Sequence, residues 1–328
     1  MVSRTKYLLD NKTITRLFEN AGITGVTSIA PLGAGEYNAV YAVKADKEYV
    51  LKVAPAADTP ILTYEKEMMK SEVYWYSLLR TQTDIRVPEV YFADDSKTLI
   101  PTAYFIMEKL AGTQMDQFQM TAEEKTECSR RVAQMVAQLH QIRNTEFGYL
   151  QNGLHGNWYA ALTSMLENLI YDAERVGKKS PKGKKLLTYA KKYESILKDV
   201  PSTMVNYDAW MPNMLCRRLK NGEIEIAWID PERSFWGDRI FDFICLEFPK
   251  PLSKKTLSVR AYNEVSDRPI VCSREECIRF AFAEGVMALI QEVEKYYRYT
   301  PHHFGWWRNV LSAAMLYKQA FRTLERPQ

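Results

Sequence analysis

The stretch 203–242 constrains the fold of this chain most, because it reads as two strands joined by a tight turn. Two apolar runs, Met214–Leu219 and Ile224–Ile229, flank the dipeptide Asn221-Gly222. That dipeptide is a strong signal for a two-residue hairpin turn, since both of its positions need a positive φ. The sequence therefore predicts a β-hairpin here, and a hairpin returns the chain to the place where it started.

Three polar side chains stand at the open end of this predicted hairpin. Asp208 and Asn213 come just before its first strand, and Asp230 comes just after its second. We therefore expect the three to gather at one edge of the hairpin. Carboxylate and amide oxygens suit hard divalent cations. They also suit phosphoryl transfer, in which one acid takes the hydroxyl proton while others hold Mg²⁺.

The spacing Asp208-x4-Asn213, followed after a hairpin by Asp230, resembles the catalytic and metal-binding segments of the protein-kinase-like superfamily. More narrowly, it resembles the aminoglycoside phosphotransferase and choline kinase family of small-molecule kinases. The resemblance implies that Asp208 is the catalytic acid–base residue and that Asn213 and Asp230 bind Mg²⁺. The chain departs from the pattern at Asn206, where the family usually has His. Further matching segments are Ile229-Asp230-Pro231-Glu232, Gly237-Asp238 and Asp242.

The fold class that this resemblance implies is α+β, with the bilobal protein-kinase-like architecture. A small N-lobe would hold an antiparallel sheet with one long helix, and a larger, mainly helical C-lobe would follow. The corresponding boundaries are residues 1–107 for the nucleotide-binding lobe, 108–112 for a hinge and 113–328 for the catalytic and substrate-binding lobe.

A glycine turn and a strand lysine precede these motifs in the chain. Gly33 and Gly35 form a Gly-x-Gly turn between two predicted strands, which lets backbone N–H groups approach phosphates closely. Tight hairpins also use Gly-x-Gly for shape alone, so both interpretations stay open. Asn38 stands where protein kinases have a third glycine. Lys52, in the apolar strand that follows, resembles the kinase lysine that contacts the α- and β-phosphates.

A long helix is predicted over 59–80, with Thr59 as its N-cap and Pro60 in its first turn. By resemblance, this helix carries the glutamate that pairs with the strand lysine. We choose Glu72 for that role, with Glu65 and Glu67 as rivals, because a surface helix commonly carries several glutamates.

The apolar segment 104–112 resembles the family's hinge between lobes. By resemblance, the Glu108 carbonyl and the Leu110 N–H would meet adenine, and Met107 would line its pocket. The alternative is an edge strand that leads into a loop.

Two capping boxes, Thr121-x-x-Glu124 and Ser273-x-x-Glu276, predict helix starts in the second half of the chain. His140, at the end of the first of these helices, is interpreted as structural rather than catalytic. Residues 249–271 show no clear period and contain three prolines, so we predict an irregular, substrate-facing or connecting loop.

Composition excludes several classes of protein. The net charge of +4 is too mild to indicate a nucleic-acid partner. The five cysteines are scattered without a CxxC pair, which argues against a zinc site or a disulfide framework and favours the reducing cytoplasm. The N-terminal stretch lacks the long apolar core of a signal peptide, and no apolar run approaches the ~20 residues that cross a bilayer.

Together these features predict an ATP- and Mg²⁺-dependent kinase whose acceptor is a hydroxyl of a small molecule, such as an aminoglycoside-like compound, an amino alcohol or a sugar. No Ala-Pro-Glu follows Asp230, which favours a small acceptor over a protein. GTP as donor, the exact acceptor and the oligomeric state stay open. The alternative is a catalytically impaired, nucleotide-binding pseudokinase, supported by Asn206.

Overall fold

The computed structural model describes residues 5–33 and 37–326, and the chain divides into two compact units. The first unit comprises Met1–Ile61, Glu67–Thr113 and Leu215–Glu232, and the second comprises Leu62–Lys66, Gln114–Met214 and Arg233–Gln328. The lobe and hinge boundaries proposed from the sequence stay a prediction.

An antiparallel five-stranded sheet forms the frame of the first unit, with strand order β1-β2-β3-β5-β4. Its central strand is β3, in which Lys52 pairs with Val40 of β2 on one side and Phe105 of β5 on the other. The strands span β1 Ser28–Pro31, β2 Ala39–Lys44, β3 Glu48–Val53, β4 Val90–Asp94 and β5 Tyr104–Glu108.

Helix α1 (Asn11–Asn20) packs against this sheet through its apolar face. Asp10 caps it by accepting the Thr13 N–H at 2.7 Å. Its three apolar residues, Ile14, Leu17 and Phe18, are fully buried in the core that the sheet forms. Each such burial stabilises the unit by about 1.5–3 kcal/mol.

Helix α2 spans Met68–Gln82, so the predicted start at Thr59 is wrong. Glu67, just before it, has a left-handed backbone (φ 53°), which interrupts the helix on that side. The preceding segment makes a 3-10 turn within the second unit. There Thr63 donates its N–H and its hydroxyl to the Asp172 carboxylate at 2.7 and 2.6 Å.

The predicted hairpin forms between β9 (Met214–Arg218) and β10 (Ile224–Trp228). Its turn differs from the expectation: five residues separate the strands, and only Gly222 of the Asn221-Gly222 pair has a positive φ, 89°. The Leu219 carbonyl accepts the Gly222 N–H at 2.9 Å and so closes a turn within this longer loop.

The second unit is mainly helical. Both predicted capping boxes form, at Thr121 with Glu124 and at Ser273 with Glu276. Its helices span α3 Ala122–Leu139, α4 Trp158–Arg175, α5 Pro181–Lys192, α6 Glu194–Lys198, α7 Thr256–Asn263, α8 Arg274–Arg298 and α9 Phe304–Leu324.

Short strands accompany these helices. Strand β6 spans Thr113–Gln114. A small sheet in the second unit has the order β11-β8-β7. The strands of that sheet span β7 Arg143–Asn144, β8 Ser202–Val205 and β11 Phe235–Gly237.

The expectation of an irregular loop over 249–271 is wrong in its centre, where α7 forms. Tyr262 and Ala261 bury this helix in the second unit, so tertiary packing stabilises eight residues that show no sequence period. Within the described part of the chain, no helix is both long enough and apolar enough to span a membrane.

Candidate active site

Lys52 is the centre of a buried charge cluster in the first unit. It lies on the central strand β3 and is only 5% exposed. Its Nζ donates to Oε2 of Glu72 at 2.7 Å, to Oδ1 of Asp230 at 2.5 Å and to Oε2 of Glu232 at 2.9 Å. One ammonium group therefore faces three carboxylates, and the cluster carries an excess of negative charge.

The charges of this cluster shift one another's pKa values. Burial by itself would lower the pKa of Lys52, but the carboxylates of Asp230, Glu232 and Glu72 outweigh it and hold that pKa well above its usual value. Burial, together with the negative charges of Asp230 and Glu232, raises the pKa of Glu72 to about 8 against the attraction of Lys52. Lys52 therefore keeps its ammonium form, whereas the ionised form of Glu72 depends on the attraction of Lys52.

Helix α2 positions Glu72 for this contact. Of the three glutamates considered for the lysine partner, Glu72 is the one that the structure pairs with Lys52. Glu67 precedes the helix, and Glu65 lies in the second unit, where its carboxylate pairs with Arg298.

Asp230 follows strand β10 and has a left-handed backbone, with φ 64°. Its N–H donates to the hydroxyl of Tyr76 on α2 at 2.8 Å. Its side chain is 37% exposed, which makes it the most open carboxylate of the cluster.

Glu232 and Asn38 belong to this cluster and were not among the site residues expected from the sequence. Asn38 Nδ2 donates to Glu232 Oε2 at 2.9 Å, the same oxygen that Lys52 contacts. The available signals were the Asp230-x-Glu232 spacing and the polar residue in place of a third glycine. Neither signal by itself indicates which side chain the residue meets.

The cluster fits a divalent cation on the chemistry of its donors. Glu72, Asp230 and Glu232 each offer a carboxylate oxygen, and these atoms lie within 4.8 Å of one another. Among the described residues, Glu72 Oε1 and Asn38 Oδ1 are buried oxygens without a hydrogen-bond partner. A set of oxygen donors with excess negative charge is what Mg²⁺ prefers.

The loop that carries Asp208 is held in the second unit by Asp242. The two Asp242 carboxylate oxygens accept the N–H groups of Asn206 at 3.0 Å and of Tyr207 at 2.5 Å. The Tyr207 hydroxyl donates to the Ala283 carbonyl of α8 at 2.6 Å. Because Tyr207 has a φ of 60°, these bonds maintain a backbone turn that a non-glycine residue rarely adopts.

Asn206 takes part in the same loop. Its Oδ1 accepts the Asp208 N–H at 3.0 Å, and its Nδ2 donates to the Ser234 hydroxyl at 3.4 Å. The residue that departs from the family pattern therefore holds the backbone of the predicted catalytic residue.

Asn213 and Arg233 are polar neighbours of Asp208 within the second unit. Asn213 Nδ2 donates to the Asp208 main-chain carbonyl at 2.9 Å and to its Oδ2 at 3.1 Å. Arg233 places Nε 3.8 Å from that Oδ2 and donates from Nη2 to Glu294 at 3.0 Å. The role of Arg233 was missed because nothing in its sequence neighbourhood points to Asp208.

Asp208 and Asn213 lie in the second unit, and Asp230 lies in the first. The expectation that these three share one site stays a prediction, as do their individual roles.

His140 is buried and contacts Asp242, the residue that holds the Asp208 loop. Its Nε2 lies 2.9 Å from Asp242 Oδ2, and its Nδ1 lies 3.0 Å from the Tyr262 hydroxyl. Burial lowers the pKa of His140, although Asp242 opposes that effect. The contacts agree with the structural role expected for this residue.

The expected nucleotide-contacting residues lie along the first unit. Gly33 has a φ of 75°, as a turn glycine requires, and Gly35 falls outside the described residues. Met107 is buried in β5, and Glu108 ends that strand, with its carboxylate paired to Arg86. Within residues 5–33 and 37–326, the Leu110 N–H has no hydrogen-bond acceptor, and its contact with adenine stays a prediction.

Comparison with known proteins gives one family and a consistent fold. The sequence model of the "Phosphotransferase enzyme family" matches residues 28–253. No curated protein matches the chain.

Three solved structures illustrate the likeness. A protein assigned as an aminoglycoside phosphotransferase, from Ralstonia eutropha JMP134, has a TM-score of 0.66 and 16% identity over 96% of this chain and 98% of its own. A protein assigned as a fructosamine-3-kinase, from Thermobifida fusca YX-ER1, has a TM-score of 0.62 and 18% identity over 94% of this chain and 97% of its own. The streptomycin–ATP ternary complex of APH(2")-IIa has a TM-score of 0.59 and 18% identity over 87% of this chain and 91% of its own.

These matches confirm the α+β kinase-like fold and the resemblance to small-molecule phosphotransferases that the motifs indicated.

Proposed function

Because the chain belongs to the phosphotransferase enzyme family, we propose that it transfers the γ-phosphate of ATP to a hydroxyl of a small molecule with the help of Mg²⁺. The observation that carries the proposal is the buried cluster in which Lys52 meets Glu72, Asp230 and Glu232. A structural core would not need three carboxylates around one lysine, since burying charges costs free energy. A site that handles phosphates and a divalent cation does need them.

Each residue has a role in this proposal. Lys52, held by Glu72, steadies the phosphates, and Asp230 with Asn213 provides the oxygen ligands for Mg²⁺. Asp208 orients the acceptor hydroxyl and takes its proton. When bound, Mg²⁺ neutralises charge on the phosphates, and alignment of donor and acceptor supplies much of the remaining rate.

The nucleotide lies, in this proposal, against the hinge strand. Met107 lines the adenine pocket, the Glu108 carbonyl and the Leu110 N–H bond the base, and the Gly33 and Gly35 backbone approaches the phosphates. Similar structures carry ATP, AMP-PNP and GDP, so ATP is the donor of choice and GTP is an alternative.

The acceptor is a small hydroxyl compound, either aminoglycoside-like, an amino alcohol or a sugar. The similar structures include complexes with streptomycin and hygromycin B and a protein assigned as a fructosamine-3-kinase. The five cysteines are scattered along the sequence without a CxxC pair, which favours a reducing compartment such as the cytoplasm.

The test is phosphoryl transfer from ATP to a panel of such hydroxyl compounds, with and without Mg²⁺. We expect Mg²⁺-dependent product with the wild type, its loss in Asp208→Asn, and unchanged turnover in Asp95→Asn, an exposed control aspartate. If the wild type binds Mg²⁺ and ATP but neither hydrolyses ATP nor modifies any compound above the Asp208→Asn level, the pseudokinase alternative replaces the enzyme.

A further inference from the structure

Tyr76 connects helix α2 to the backbone of Asp230. It lies four residues after Glu72, so the two side chains leave the same face of the helix. Its hydroxyl accepts the Asp230 N–H at 2.8 Å. The ring is 1% exposed and packs edge-on against Phe105, with centroids 6.4 Å apart. The hydroxyl is therefore fixed in place by the packing of the ring.

Asp230 needs such a partner because of its backbone. Its φ of 64° is a left-handed conformation that residues with a Cβ rarely adopt and that persists only where the surroundings hold it. An N–H group removed from water must also be hydrogen-bonded. Rotation about the N–Cα bond to an extended φ would change the angle between the N–H and the side chain, so the N–H could not meet Tyr76 while the carboxylate meets Lys52.

We propose that Tyr76 is a positioning residue for Asp230: its hydroxyl selects the left-handed backbone in which the Asp230 carboxylate faces the cluster and is ready to bind Mg²⁺. This inference rests on the proposed function. Since Glu72 leaves the same face of α2, one helix positions both the partner of Lys52 and the metal ligand. A displacement of α2 would therefore disturb both groups together.

The test compares Tyr76→Phe with Tyr41→Phe. Tyr41 is a matched control in the same unit, because its buried hydroxyl accepts the Leu9 N–H at the same distance of 2.8 Å. Each variant loses one oxygen atom and keeps its ring. The first readout is the Mg²⁺ concentration that gives half-maximal ATP binding, and a thermal-shift assay detects that binding. The second is hydrogen exchange at the Asp230 amide.

We expect Tyr76→Phe to raise the half-maximal Mg²⁺ concentration about tenfold, since it loses a buried hydrogen bond that orients the ligand. Exchange at the Asp230 amide should accelerate in the same variant, and ATP binding without Mg²⁺ should change little. Both variants should lower the melting temperature by similar amounts, because each loses one hydrogen bond. Tyr41→Phe should leave the Mg²⁺ requirement as in the wild type.

Equal Mg²⁺ requirements in Tyr76→Phe and the wild type would overturn the inference, and so would an equal rise in both variants. If Tyr76→Phe does not fold, the wild type alone decides: Mg²⁺ with ATP should increase protection of the Asp230 amide, and an unchanged amide would refute the link. A wild type that shows no Mg²⁺-dependent ATP binding would instead refute the proposed function, whatever the exchange at Asp230.

Discussion

Replacement of Lys52 by Met tests the charge cluster most directly. The change removes the ammonium group that contacts Glu72, Asp230 and Glu232. Met has a similar length and fills the same space, so packing in strand β3 is largely kept. Loss of one partner of a buried ion pair typically lowers the free energy of unfolding by about 3–5 kcal/mol. The Lys52 side chain is only 7% exposed, so little solvent screening reduces this value.

The deficit of Lys52→Met should depend on pH. Glu72 already has a raised pKa of about 8, mainly because of its burial. A carboxyl whose pKa is raised in the folded state costs stability as pH rises from its unfolded pKa, about 4.5, to its folded pKa. Without Lys52 this pKa rises further, so the cost continues to grow above pH 8, where it has levelled off in the wild type. We therefore expect the deficit of Lys52→Met to be constant below about pH 7 and to increase above about pH 8.

Urea unfolding of the wild type and Lys52→Met between pH 6 and 9.5 measures this effect. Lys44→Met, on the exposed side of the neighbouring strand β2, is the control and should stay within about 0.5 kcal/mol of the wild type. Added Mg²⁺ should restore part of the loss in Lys52→Met, about 1.4 kcal/mol at ten times its dissociation constant. A deficit below about 1 kcal/mol, or one that is the same at pH 7 and pH 9.5, would refute the description of the cluster as a coupled set of buried charges.

Other predictions concern the second unit. Burial raises the pKa of Glu284 to about 8 despite the attraction of Lys255, so its ionisation costs stability as pH rises from about 4.5 to 8. The melting temperature of Glu284→Gln should therefore exceed that of the wild type by a margin that grows between pH 4.5 and pH 8. A margin that is independent of pH would contradict this. Asp242→Asn should lower the free energy of unfolding by about 3 kcal/mol, because charge-assisted bonds to two N–H groups weaken; a loss no greater than that of Asp95→Asn would show that the Asp208 loop does not depend on it. Thr121→Ala should cost about 1 kcal/mol by removing the N-cap of α3, whereas Thr121→Ser should keep most of it.

Local features of the fold were predictable wherever neighbouring residues decide them. The capping boxes at Thr121 and Ser273 formed as expected, because each is closed by side chains only three residues apart. The start of α2 was not predictable in this way. The segment before it is drawn into the second unit by the bonds of Thr63 to Asp172, which lies 109 residues further along the chain.

In the candidate site, too, some features followed from local sequence patterns and others depended on contacts between distant residues. The strand position of Lys52 and the helix position of Glu72 followed from local patterns and from the family resemblance. The participation of Glu232 and Asn38 did not, since their hydrogen bond joins residues 194 positions apart. The hydrogen bond from the Asp208 N–H to Asn206 was not expected from the sequence either, and the effect of Asn206 on activity stays a prediction.

The amino-acid sequence by itself determined the order of the elements, the helix caps and the family, because motif spacing and capping are short-range properties. Only the tertiary structure decided that Lys52 faces three carboxylates and that Tyr76 holds the Asp230 N–H. These contacts require packed elements from distant parts of the chain, and the free energy of a buried charge or hydrogen bond depends on the partner that the fold brings to it.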